Sequence, residues 1–143
     1  MEHVAIMRKS WGFIPRIASG EKIIESRWYR ARYAPWGRIE PGENVYFKNA
    51  GEPVTLVAEV EKVRYFSDLT PGKVSQILET YAKDAGIEEQ NIPQFFERFK
   101  QKRYCMLIYL KNARRVEPFE INKQGFGAMA AWICVENVHT IKL

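Results

Sequence analysis

Residues 20–38 read GEKIIESRWYRARYAPWGR, and the reading of this stretch decides the fold. Gly20 follows the run FIPRIAS (13–19), and a glycine there can take the left-handed conformation that ends a helix. Lys22 to Tyr29 are rich in β-branched and aromatic side chains and hold no breaker, so they read as a strand. A regular strand sends alternate side chains to opposite faces. That places Ile23, Glu25, Arg27 and Tyr29 on one face and Ile24, Ser26 and Trp28 on the other. Glu25 and Arg27 are then same-face neighbours able to pair. The following APWGRIEPGE (34–43) holds two prolines and two glycines and reads as a loop.

Upstream, HVAIMRK (3–9) alternates well enough to be an opening strand. Ser10 is placed to cap a short helix near residues 13–19, with Pro15 in its first turn. Downstream, ENVYFKN (43–49) and PVTLVAEVEKVRYF (53–66) read as strands joined by the turn NAGEP. Thr70 caps a helix with Pro71 at its first position, and Val74, Ile77, Leu78, Tyr81, Ala82 and Ala85 follow at helical spacing until Gly86. A second short helix is predicted over Pro93 to Lys102, with Phe95, Phe96 and Phe99 as its buried side. YCMLIYLKNARRVEPFEI (104–121) is a further strand region and KQGFGAM (123–129) a glycine-broken loop. AAWICVENVHTIKL (130–143) is expected to supply closing strands. Strands and helices come in blocks rather than alternating, which argues α+β. About six short strands suggest a curled sheet or small barrel with helices packed outside.

The 143 residues suit one domain spanning 1–143, and 46% hydrophobic with 27% charged is ordinary globular composition. That composition excludes disordered and fibrous classes. No apolar run approaches the length of a membrane span. The N-terminal MEHVAIMRKSW lacks a signal-peptide core, so a cytoplasmic location with no membrane partner is expected. Cys105 and Cys134 sit in apolar runs and read as buried reduced thiols. The two histidines, His3 and His139, lie near opposite ends, and no Cys/His cluster has metal-ligand spacing. Neither a metal nor a cofactor is expected. A net charge of +5, from 22 Lys+Arg against 17 Asp+Glu, permits an anionic partner.

That charge is unevenly spread. In residues 27–38, Arg27, Arg30, Arg32 and Arg38 interleave with Trp28, Tyr29, Tyr33 and Trp36, with no acid among them. Guanidinium groups pair with phosphates in a planar fork, and aromatic faces stack on unpaired bases. The same residues also fit an amphipathic strand with core aromatics and a solvated arginine rim. Lys22, beside the Glu25–Arg27 pair, has a tunable pKa if partly buried, and otherwise belongs to a surface ion cluster. Lys48 and Asn49 precede a turn. Asn49 could read a base edge, or simply form the turn. No phosphate loop, nucleophile elbow or dinucleotide fingerprint is present.

Gly20-x-Lys22-x-x-Glu25-x-Arg27 resembles the GxKxxExR motif of the ASCH domain family, part of the PUA-like superfamily of small β-barrels. The Lys9-Ser10-Trp11 segment and the strand pair PGENVYFKNAGEPVTLVAEV (41–60) resemble the family as well, and FGAMAAW (126–132) more loosely resembles related domains. The resemblance implies an α+β, PUA-like barrel of five to six strands with peripheral helices. It also implies a cleft lined by Lys22, Glu25 and Arg27. The superfamily mostly handles RNA or modified bases, and some members are ribonucleases or hydrolyse N4-acetylcytidine. The acetylcytidine branch carries a threonine nucleophile where Glu25 stands here. A carboxylate attacking an amide would give a mixed anhydride, which argues against that reaction.

The leading expectation is therefore binding of RNA, single-stranded nucleic acid or a modified nucleotide. Lys9, Ser10, Trp11, Lys22, Glu25, Arg27, Trp28, Arg30, Arg32, Trp36, Lys48, Asn49 and Trp132 are the candidate contacts. Arg30, Arg32 and Lys48 would meet phosphates, and Trp28 or Trp36 would stack. Trp11 and Trp132 could be core or cleft wall. A second expectation is a small nucleic-acid-directed hydrolase, a ribonuclease or nucleoside amidohydrolase, with Lys22 as general base or electrostatic stabiliser and Glu25 positioning water. A third is a scaffold whose aromatic patch binds protein.

Overall fold

The computed structural model describes residues 1–143. Its strands are β1 (Glu2–Met7), β2 (Ile24–Tyr29), β3 (Asn44–Asn49), β4 (Val54–Phe66), β5 (Tyr104–Phe119) and β6 (Trp132–Val135). Its helices are α1 (Phe13–Ser19), α2 (Pro71–Tyr81) and α3 (Ile92–Phe99). The strands form one sheet in the order β2-β5-β4-β3-β1-β6. Neighbours are antiparallel except β1 and β3, which run parallel from Glu2↔Asn44 to Met7↔Asn49.

The sheet curls, and the long β4–β5 pair shows why. Its register shifts at three places, between Val54 and Leu56, Val57 and Glu59, and Val60 and Lys62. Each shift bends the strand and increases its twist. β2 ends the sheet on one side, yet Arg27 donates to the carbonyls of Ile6 (3.4 Å) and Ala131 (3.2 Å) beside the opposite edge. The architecture is thus an α+β half-barrel of six strands, as the sequence predicts. Its seam is bridged by a side chain rather than closed by a ladder.

Period-two alternation divides the apolar residues between two cores. Ala5, Met7, Val45, Phe47, Leu56, Ala58 and Val60 face the larger core, against Ile17 of α1, Leu78 of α2 and Phe95 and Phe99 of α3. Val4, Tyr46 and Val57 face the smaller one with Phe119, Ile133 and Val138. No helix is long and apolar enough to cross a membrane.

Several boundaries differ from expectation. Ser10 is not the cap of α1: it lies in a 3-10 turn over Lys9–Trp11, and Gly12, at φ 66, precedes the helix without a side-chain cap. Gly20 ends α1 in the left-handed region at φ 83, as predicted. β2 starts at Ile24 rather than Lys22, because the Lys22 N–H turns back to the Arg16 carbonyl and those of Ile23 and Ile24 both donate to the Asp84 carbonyl. α2 stops at Tyr81, and residues 82–86 form turns. Thr70 caps α2 as predicted, its hydroxyl accepting from the Lys73 N–H. α3 is shorter than predicted, ending at Phe99. The C-terminal segment supplies one strand, then a 3-10 turn over Val138–Thr140 and a lone bridge between Ile121 and Lys142.

Candidate functional site

A cleft of about 490 Å³ opens at the seam between β2 and the β1 edge. β2 contributes Glu25 to Tyr29, and β1 contributes Ile6 and Met7. The segment from Arg8 to Phe13 forms one wall with Arg8, Trp11 and Phe13, and α3 and its C-terminal extension form another with Phe95, Arg98, Phe99 and Lys102.

The GxKxxExR residues form one buried array. Lys22 has no exposed side-chain surface, and its Nζ donates to the carbonyls of Ile24 (2.6 Å) and Ala85 (2.6 Å) and lies 3.1 Å from Glu25 Oε1. Three acceptors match the three N–H groups of an ammonium. The ammonium also sits 4.2 Å from the centre of the Phe13 ring. Gly86 closes the site from behind at φ 77, and a Cβ there would stand 2.9 Å from Lys22 Cδ. Burial draws the Lys22 pKa below that of an ordinary lysine, an effect that Glu25 opposes. The Glu25 carboxyl is pushed up by burial, but Lys22 and Arg27 outweigh this and hold it below the usual carboxylate range. Glu25 is therefore a fixed anion at the base of the cleft.

Arg27 completes the array. Its Nε donates to Glu25 Oε2 at 2.9 Å and its Nη2 lies 2.8 Å from the same oxygen. The guanidinium lies 5.1 Å from the centre of the Trp132 ring. Trp132 Nε1 donates to His3 Nδ1 at 3.0 Å, and His3 Nε2 then donates to Glu43 Oε1 at 2.8 Å. Burial lowers the His3 pKa despite Glu43. Trp132 is thus a buried support for Arg27 rather than part of the cleft wall.

Of the candidate residues, Trp11, Glu25, Arg27 and Trp28 line the cleft, and Lys22 lies behind it. Trp28 stacks on Phe99 with centroids 4.7 Å apart and planes 8° apart. Ser10 lines an adjoining pocket of about 280 Å³ that shares Arg8, Trp11 and Phe95 with the cleft. The rest lie elsewhere. Lys9 Nζ (2.6 Å) and Asn49 Nδ2 (3.1 Å) both donate to the Glu52 carboxylate at a turn. Lys48 is buried within β3. Trp36 packs edge-on against Tyr65 and Tyr104, and the exposed Arg32 lies over the Tyr104 ring. Arg30 is exposed and does not line the cleft.

Sequence reasoning missed Arg8, Arg98 and Lys102, and assigned Phe95 and Phe99 to core alone. A signal was present. Phe95, Arg98, Phe99 and Lys102 follow i, i+3, i+4, i+7 spacing, which makes one mixed aromatic and basic helix face. No His, Cys, Asp or Glu side chains group in a way that could hold a metal ion.

No family model matches the sequence, and no curated protein matches it. Solved structures do resemble it. The ASCH protein from Zymomonas mobilis superposes with a TM-score of 0.67 at 17% identity, over 97% of this chain and 90% of that one. A tyrosine-to-phenylalanine variant of the same protein gives 0.66 at 18%, over 97% and 93%. A hypothetical protein gives 0.51 at 18%, over 79% of this chain and 97% of that one. The chain therefore has the fold of ASCH proteins, as the GxKxxExR resemblance implies.

Proposed function

We propose that this chain is an ASCH-type binding module, acting in the cytoplasm, whose cleft receives one unpaired base of an RNA strand or of a free, modified nucleotide. One observation carries the reading: a single cleft combines the aromatic side chains of Trp11, Trp28, Phe95 and Phe99 with the fixed carboxylate of Glu25. Stacking on such surfaces contributes about 1–3 kcal/mol per base. A carboxylate has about four acceptor sites, so Glu25 can still accept from an exocyclic amine after serving Lys22 and Arg27. A volume of about 490 Å³ suits a nucleotide-sized ligand.

Two features weigh for binding over turnover. The Lys22 ammonium is enclosed with every N–H engaged, so it offers no free lone pair to a substrate. Glu25 is clamped between two cations, which makes it a poor proton acceptor. The test is titration of short single-stranded RNA and of free modified nucleotides at low and moderate salt, read by tryptophan quenching, with product analysis. Quenching, salt-sensitive affinity and intact RNA are expected. Affinity that ignores salt, or absence of quenching, would refute the reading. New products would transfer the site to the hydrolase alternative built on Lys22 and Glu25.

A further inference from the structure

Arg8, Arg98 and Lys102 converge on the cleft mouth from two separate elements. The guanidinium carbons of Arg8 and Arg98 both lie 5.2 Å from the centre of the Trp11 ring. Neither these three nor the nearby Arg30 makes an ion pair. The sole acid lining the cleft, Glu25, is already matched by Lys22 and Arg27. The four cations sense one another. Burial lowers the Lys102 pKa, and Arg30 and Arg98 lower it further; burial and then Arg8 do the same to Arg98.

Like charges gathered without a counter-charge cost free energy that an anion recovers. The dipole at the C-terminus of α3 favours cations at Arg98 and Lys102. It does not account for Arg8, which approaches from the segment after β1.

We infer that the cleft mouth is a phosphate site, formed by Arg8, Arg98 and Lys102 with Arg30 beside them, so that the ligand is a nucleotide or a strand phosphate with its base inward. This rests on the base-binding reading for what lies deeper, but the site itself is separable from it. It also replaces Arg32 and Lys48, the phosphate contacts expected from sequence, with residues that face the cleft.

The experiment is calorimetric titration at low salt with the four common nucleosides, their 5′-monophosphates and pyrophosphate. It compares the wild type with the Arg98→Gln/Lys102→Gln double variant. A Lys111→Gln/Lys142→Gln variant loses the same charge outside the cleft, and circular dichroism checks folding in all. Monophosphates should bind about tenfold or more tightly than the matching nucleosides, since charge-assisted contacts are strong. The Arg98/Lys102 variant should erase that advantage, and the Lys111/Lys142 variant should keep it. Equal affinity for nucleoside and monophosphate, or an advantage that survives in the Arg98/Lys102 variant, overturns the phosphate site and leaves base binding standing. Pyrophosphate binding that needs Arg98 and Lys102, with no gain from any base, upholds the site and removes the base reading. No binding of pyrophosphate or of any monophosphate overturns the site.

Discussion

Lys22 Nζ and Glu25 Oε1 stand 3.1 Å apart at the base of the cleft, with the Lys22 side chain fully buried behind it and 4% of the Glu25 side chain exposed to it. The pair holds the carboxylate in place for Arg27, and Arg27 spans the seam of the half-barrel. One three-residue array thus serves both the closure of the sheet and the shape of the cleft.

Removing both partners should cost less than the two single losses added together, although Arg27 and the two carbonyls still lose their partners. Lys22→Met leaves a buried carboxylate short of a counter-ion and two carbonyls without their donor, at a cost of about 3–5 kcal/mol. The Lys22→Met/Glu25→Leu double variant should be destabilised by much less than the sum of the two single changes. Urea denaturation of the four proteins in a double-mutant cycle reads this directly. Additive losses would mean that the pair is not coupled.

Gly86→Ala should destabilise the fold although the new side chain is small. The left-handed backbone at φ 77 costs about 1–2 kcal/mol for alanine, before the contact with Lys22 is counted. The Gly125→Ala change, at φ 91 with open space around its Cβ, should incur only the backbone part. A larger shift in urea midpoint for Gly86→Ala than for Gly125→Ala is the expected result.

Acid should weaken the fold through His3 and Glu25, and through Glu43, whose carboxyl burial pushes up but the His3 hydrogen bond helps hold below its ordinary range. His3 has a folded pKa below its ordinary 6.5, so the unfolded chain binds the proton more readily. Its contribution is fully present above pH 6.5 and is lost as pH falls through the folded value. Glu25 is likewise depressed, so its contribution is present above the ordinary 4.5 and lost at still lower pH. Urea midpoints across acid pH should show the upper limb flattened in His3→Gln and the lower limb flattened in Glu25→Gln.

The two cleft tryptophans should separate binding from stability. Trp11 is half-buried at the wall, so Trp11→Leu should leave the fold intact and weaken RNA or nucleotide binding by roughly 10- to 100-fold. Trp28 is buried against Phe99, so Trp28→Leu should lower thermal stability as well. Affinity measured alongside melting temperature distinguishes the two. Unchanged affinity in folded Trp11→Leu would place the base elsewhere.

Local chemistry was enough for much of this protein. Gly20 ends α1, Thr70 and Pro71 open α2, and the alternation around Glu25 and Arg27 puts them on one face, because each depends on residues a few positions apart. The α+β order and the count of six strands follow from the same local patterns. The cleft was another matter. Arg30, Arg32, Trp36 and Lys48 looked right by type and proximity in sequence, yet lie outside its wall, while Arg8, Arg98 and Lys102 line it. Periodicity tells which face a side chain occupies, not which distant element that face will meet. The curl imposed by three register shifts in β4–β5, and the docking of α3 across the seam, decided that. They also buried Lys22, whose acceptors at Ile24 and Ala85 come together only when the chain is folded.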